Sequence, residues 1–205
     1  MARPAILSRE DFLNAGLMII DSEGLDALTF RHLGEIMGVS HTAAHSHFAN
    51  RGDLLNAITH RLVASMLNDI DLSDTTPRGL IKAIAIATRS TLAKHPRLIP
   101  VFLLLDSDSF AGQAEVLAVV SALESAGIPK DEIALAYRTI ENYVFGATIF
   151  DFGSAPQHLA IRKRRYVALG HPEFAKVSGS DEAVGRHNDE AFVFGLDRLL
   201  DGLGI

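Results

Sequence analysis

The stretch from Leu28 to Asn50, LTFRHLGEIMGVSHTAAHSHFAN, constrains the fold more than any other part of the chain. It divides at Gly38-Val39-Ser40. Ahead of the division, Thr29 is placed to cap a helix, and Phe30, Leu33, Ile36 and Met37 fall at i, i+3, i+6 and i+7 on one face. Gly38 supplies the left-handed turn that often ends a helix, and Val39 an apolar plug. Ser40 is placed to cap a second helix running from His41 to about Phe48. Two short helices joined by a glycine-containing turn form the helix-turn-helix signature, whose second helix enters the DNA major groove. That second helix carries His41, Thr42, His45, Ser46 and His47, with only Ala43, Ala44 and Phe48 available for a core. A helix so short and polar is marginal in water alone. Either neighbours hold it so that its side chains meet a polar partner, or it is a plain surface helix.

The flanks supply those neighbours. Ser8 and Asp11 have capping-box spacing, and Phe12, Ala15, Leu17, Ile19 and Ile20 give a helix ending near Ser22–Gly24. After the motif, residues 53–70 read as one long helix with Leu54, Leu55, Ile58, Leu62 and Met66 buried. Residues 71–77 break the composition, with Thr76 as N-cap and Pro77 as first residue of the next helix. Leu80–Lys94 follows, with Leu80, Ile84, Ala87 and Thr91 inward and Ala83 a further candidate, until His95-Pro96 stops it. Leu98–Leu105 reads as a short buried helix, Asp106–Ser109 as a loop, Ala111–Ala126 as a helix ending at Gly127. Glu132–Phe152 is the longest apolar helix. From Gly153 to Asp189 the pattern dissolves into an expected loop, in which the run Arg162–Arg165 is solvated. Glu190–Leu203 closes the chain as a helix. No repeat and no convincing strand alternation occurs, so the fold class is all-α.

Composition narrows the function classes. With 205 residues, 48% hydrophobic and 21% charged, the chain can bury a substantial core and is not a disordered protein. The absence of cysteine excludes disulfides and thiolate metal sites. MARPAILSRED lacks a signal-peptide apolar run, and Leu98–Leu105 is far short of the roughly 20 residues of a membrane span. A cytoplasmic protein without membrane contact is expected. A net charge of −6 runs against the basic footprint of most nucleic-acid binders. Within residues 1–60, Arg3, Arg9, Arg31 and Arg51 face seven acids. The acids, however, gather in the first helix and the loop after it, whereas Arg31, Arg51 and three histidines lie in or beside the motif. Weak non-specific DNA affinity follows, since few cations displace counterions.

Residues Ser8–Ile58 resemble the DNA-binding domain of the TetR family of bacterial transcriptional regulators. The resemblance rests on LTFRHLGEIMGVS, on His45-Ser46-His47-Phe48, and on Asn50-Arg51-Gly52-Asp53-Leu54-Leu55. Family members usually read G-V-S-x-x-T-L-Y-x-[HY]-F and then N/S-K-x-x-L. Here Ala43 and Ala44 replace the common Thr-Leu, His45 the Tyr, and Arg51 the Lys. The later two-thirds resembles the family's ligand-binding and dimerisation domain, most closely the tetracycline-repressor type. Lys94-His95-Pro96-Arg97, the Gly127 break and Glu190–Leu203 carry that likeness.

The resemblance implies an amino-terminal three-helix domain over 1–52 and a ligand-binding and dimerisation domain over 53–205, with 53–70 the linking helix. It implies a ligand-responsive repressor released from a palindromic operator by a small apolar or weakly polar effector. The DNA-facing positions it implies are Thr29, Arg31, Ser40, His41, Thr42, Ala43, His45, His47 and Arg51. Arg31 either bridges guanine O6 and N7 or pairs with Glu35 one turn on. The implied effector pocket draws on Thr88, Thr91, Phe102, Tyr137, Asn142 and Phe145, each of which is otherwise ordinary core. A homodimer through Glu132–Phe152 and Glu190–Leu203 is implied. No metal and no cofactor is expected, although His41 and His45 share i, i+4 spacing. No nucleophile–base pairing, HExxH or phosphate-cradling loop supports an enzyme. The alternative left standing is an all-α carrier or enzyme that does not bind DNA.

Overall fold

In a computed structural model the protein is described over residues 7–68, 70, 76–102, 110–152 and 157–205. The expected loop at Asp106–Ser109 lies outside the described residues. Helices account for the regular structure, with no strand among the described residues. The chain forms two compact units, one of residues up to Ser65 together with Arg97–Gln113, the other of Met66–Pro96 with Ala114–Ile205. The first unit therefore extends past residue 52. It retains most of the long helix and takes in a later segment, because Leu98 and Val101 are buried in the same cluster as Phe12, Leu33 and Ile58.

In the first unit, α1 (Arg9–Glu23) starts at the expected capping box: the Ser8 side chain accepts from Asp11 N, and Asp11 Oδ2 accepts from Ser8 N at 2.8 Å. Helix α2 (Phe30–Met37) is capped by Thr29, whose hydroxyl oxygen accepts from His32 N at 3.1 Å. It ends at Gly38, in the left-handed region at φ 67°. Its expected apolar face is only partly buried. Leu33 is fully covered, but Ile36 is 40% exposed, and Gly34 is buried in its stead. A Cβ on Gly34 would lie 2.9 Å from the Val39 carbonyl oxygen and 3.1 Å from His41 Cα. The turn doubles back so closely there that no side chain fits.

Residues expected as an α-helix from His41 to about Phe48 form instead a 3₁₀ helix, His41–Ser46. Side chains compete with the ladder: Ser40 Oγ accepts from Thr42 N, two residues on, and the Ser46 hydroxyl donates to the Ala43 carbonyl at 2.7 Å. Ala44 and Phe48 fix this segment to the core at 1% exposure each. Helix α3 (Arg51–Asn68) follows. Its Arg61 binds back to α1 through Glu10 and through Asn14 Oδ1 at 2.6 Å.

The second unit is built on α4 (Pro77–Lys94), α6 (Phe110–Ser125), α7 (Ile133–Phe152) and α10 (Asp181–Gly202). Thr76 caps α4 and Pro77 opens it, as expected. The inward residues are Ile81, Ile84, Ala85, Thr88 and Leu92, so the buried face is turned from the expected Leu80, Ala87, Thr91 set. Short α5 (Ile99–Phe102) belongs to the first unit. The expected loop after Gly153 is largely helical, with α8 (Gln157–Leu169), α9 (Pro172–Val177) and α10 beginning nine residues before Glu190. His171 caps α9 with Pro172 behind it, and Ser180 caps α10. Nor is the basic run a solvated loop. Arg162 sits on α8, half-buried, with Nη2 3.1 Å from Asp151 and its guanidinium 4.6 Å from the Phe150 ring centroid.

Candidate nucleic-acid interface and ligand cavity

Around the turn, capping and packing decide which side chains remain free for a partner. Thr29 is exposed; its oxygen accepts from the α2 backbone, but its proton is left to donate outward. Arg31 lies one residue into α2, with Nε donating to Glu35 Oε1 at 3.0 Å. Its side chain is 86% exposed, so this pair contributes little and yields readily to a phosphate or base edge. The Arg31 guanidinium holds the Glu35 carboxyl below its ordinary range. His32, behind it, donates from Nε2 to the Glu23 carboxylate at 3.0 Å. That hydrogen bond raises the His32 pKa above its ordinary value.

On the 3₁₀ helix, His41 and Thr42 are exposed at the leading end, with Thr42 Oγ1 2.8 Å from Ser40 Oγ. Ala43 is half-buried against the core. His45 is exposed and meets the edge of Phe30 at 4.6 Å between ring centroids. His47 is less available. It is half-buried, its ring tilted 5.1 Å from Phe12. Arg51 is committed differently from expectation: Nε donates to the Leu28 carbonyl at 2.7 Å and Nη2 to the Leu25 carbonyl at 2.6 Å. Its guanidinium braces the loop ahead of α2. A cation the sequence reading passed over, Arg9, lies 4.9 Å over the Phe48 ring beside His47. Its place at the start of a helix otherwise acidic in its first turn was the available signal.

In the second unit, three of the six expected pocket residues meet. Thr88, Tyr137 and Phe145 line a cavity of about 40 Å³ with Ile81, Ile84 and Val144. Thr91 is half-buried on α4 and not in its wall, and Asn142 is exposed on α7. Phe102 packs in the first unit's core. The acidic residues of the wall, Glu115 and Glu141, were among those missed. Burial pushes the Glu115 carboxyl above its ordinary pKa. The Thr88 hydroxyl has one proton and two oxygens at 2.9 Å, the Ile84 carbonyl and Glu115 Oε1. Donation from Thr88 to Glu115 only partly offsets the effect of burial on that carboxyl. A glutamate in the otherwise apolar run of α6 was the sequence signal. Tyr137 lies 3.3 Å from Glu141, and burial with these acids lifts its phenol far above the ordinary range. Among the described residues no three His, Asp or Glu side chains converge as metal ligands, and no helix is long and apolar enough to cross a membrane.

A capped helix, a glycine turn and a polar second helix beside a larger helical unit define a helix-turn-helix, DNA-binding transcription regulator. The family description "Tetracyclin repressor-like, C-terminal domain" matches residues 73–205. The chain belongs to the TetR family of transcriptional regulators, proteins that are not enzymes. The HTH-type transcriptional repressor DrrR1 of Streptomyces coeruleorubidus is 26% identical over 214 residues, spanning 97% of this chain and 78% of its own. The fold is shared with the TetR regulator SCO7222 of Streptomyces coelicolor, at a TM-score of 0.74, 21% identity, and 97% and 98% coverage of the two chains. It is shared too with BioQ, solved with its double-stranded DNA operator, at a TM-score of 0.64, 24% identity, and 97% and 98% coverage.

Proposed function

We propose that the protein is a homodimeric repressor that reads a palindromic operator through His41–Ser46 and is released from it by a small, mainly apolar effector. The observation that carries this reading is the exposure of His41, Thr42 and His45 on a segment whose Ala44 and Phe48 are locked into the core. Apolar side chains fix the segment and polar ones project outward, which suits readout of base edges and phosphates. Thr29 and Arg31, exposed at the start of α2, reach the phosphates flanking it. That DrrR1 is named a repressor and BioQ was solved on its operator supports this assignment.

Dimerisation through α7 and α10 is supported by their exposed apolar side chains. Leu135 is 70% exposed and Phe150 60% on α7, and Phe194 is 64% exposed on α10. Large apolar groups this open on adjacent elements mark an interface. Two copies would set their reading segments about 34–36 Å apart in successive major grooves.

The effector enters at Thr88, Tyr137 and Phe145, where a mainly apolar wall also carries the Tyr137 phenol and the Glu115 and Glu141 carboxyls. The space of about 40 Å³ admits only a small group, so a larger effector displaces its walls. Thr88 lies 3.5 Å from Met66 Sδ in the last turns of α3, the helix that begins at Arg51. Displacing Thr88 thus pushes on the end of α3, and both ligands bias one helix, as coupling between sites requires. Selection from random duplexes tests the reading. A symmetric enriched site, lost on adding effector, supports it; no enrichment returns the protein to the carrier alternative.

A further inference from the structure

The second unit holds another, larger cavity, of about 430 Å³, between α4, α8 and α10. Small-molecule sites usually measure about 300–1,000 Å³. Its walls include Ile86, Arg89, Leu159, Gly185, Asn188 and Phe192. Asn188 is the anomaly. Its residue is 3% exposed, and neither the amide nitrogen nor the amide oxygen meets a hydrogen-bond partner. Buried amides are almost always satisfied, so an orphaned one facing a ligand-sized space needs an occupant to explain it. Gly185, one turn earlier on α10, has nothing within 4 Å of where a Cβ would stand.

The charges around this cavity cancel among themselves. Arg89 Nη1 donates to Asp189 at 2.6 Å and Nη2 to Asp151 at 3.1 Å. Arg162 also pairs with Asp151 at 3.1 Å, and His158 stands 3.9 Å from it. The Arg89 guanidinium further lies 4.8 Å from the centroid of the Phe192 ring. Among the described residues two arginines are set against two aspartates, which disfavours an ion there. Asn188 offers one donor and one acceptor side by side. Their complement is an adjacent acceptor and donor on a neutral molecule, the edge presented by a lactam, an imide or a primary amide. Ile86, Leu159 and Phe192 suit an apolar or aromatic body behind that edge.

We propose that this cavity is a second small-molecule site, which takes a neutral lactam- or imide-type ligand with an apolar body, recognised by the Asn188 side chain. A site built to hydrogen-bond a ligand rejects the analogue that leaves its buried groups unpaired.

The test uses the full-length protein with 2-quinolinone and its N-methyl derivative, by calorimetry and thermal melting. The lactam should bind and raise the melting temperature, and the N-methyl form, which lacks the donor, should bind at least tenfold more weakly. Asn188→Leu should lose lactam binding while melting no lower than the parent. Gly185→Phe, which fills the space and leaves the amide intact, should lose it too. Equal binding of the two probes, binding by neither, or lactam binding unchanged in both variants would overturn the proposal. So would dissociation of Asn188→Leu into monomers, since the amide would then serve a partner subunit. No readout involves DNA, so the outcome stands apart from the operator reading.

Discussion

Arg51 Nε donates to the carbonyl oxygen of Leu28 at 2.7 Å, tying the first residue of α3 to the peptide just ahead of α2. With Nη2 on the Leu25 carbonyl, the guanidinium spans two acceptors that an ammonium cannot bridge in the same geometry. Arg51→Ala should destabilise the first unit by about 1.5–3 kcal/mol, the usual range for hydrogen bonds to a charged group. Arg51→Lys separates bracing from phosphate contact. If bracing dominates, Lys leaves the salt dependence of DNA binding unchanged but lowers the melting temperature almost as much as Ala does. Restored stability with Lys would assign Arg51 to phosphate contact.

Gly34 marks the closest approach within the motif. Ala at this position must move the Val39 carbonyl or the His41 backbone, both under 3.2 Å from the new Cβ. Neither is a flexible side-chain end, so Gly34→Ala should cost about 1–3 kcal/mol despite the better helix propensity of alanine. Chemical denaturation checks this, and an unchanged midpoint would count against the packing described.

Glu115 makes stability depend on pH. Its folded pKa is raised above the ordinary 4.5 by burial, so the folded chain holds the proton more tightly than the unfolded one. Its contribution is full below about pH 4.5 and declines as pH rises through the folded value. Glu115→Gln abolishes that titration. The variant should melt higher than the parent at pH 7.5 and no higher at pH 4.5. Melting curves at the two pH values read out the difference.

His32 works in the same sense, in a higher pH range. Donation to Glu23 raises its pKa, so its stabilising charge is present below pH 6.5 and fades as pH climbs through the folded value. Since this pair ties the end of α1 to α2, operator affinity should rise as pH falls from 8 to 6. His32→Gln should flatten that profile at fixed salt, whereas an unaltered slope would locate the effect elsewhere.

Phe194, 64% exposed on α10, is the most economical test of the dimer. Phe194→Glu buries a charge in any interface built on that helix, and sedimentation should show monomers where the parent is dimeric. A parent that sediments as a monomer would remove the dimer altogether.

Much of the fold was legible from the chain because capping signals act locally. Ser8 with Asp11, Thr29, Gly38 and Thr76 with Pro77 all stand where spacing placed them. Residues 157–189 were misread because α8 and α9 are polar on most faces and hold position through Arg162–Asp151 and the His171 cap. Neither leaves an apolar period. In the site, exposure of His41 and Thr42 followed from the motif, but the bracing role of Arg51 depends on carbonyls 23 and 26 residues earlier. Phe102 was assigned to a pocket because its segment is apolar, and it packs in the other unit. Apolar character alone does not say which core a side chain joins.

The central claim is that His41 and Thr42 face the bases of a DNA site. Fluorescence anisotropy on the best selected duplex, at one salt concentration, tests it with His41→Ala and Thr42→Ala beside the parent. Each variant should bind that duplex about tenfold more weakly, the scale of 1–3 kcal/mol per base contact, with non-specific affinity and melting temperature unchanged. Variants that bind the selected duplex as tightly as the parent would contradict the account.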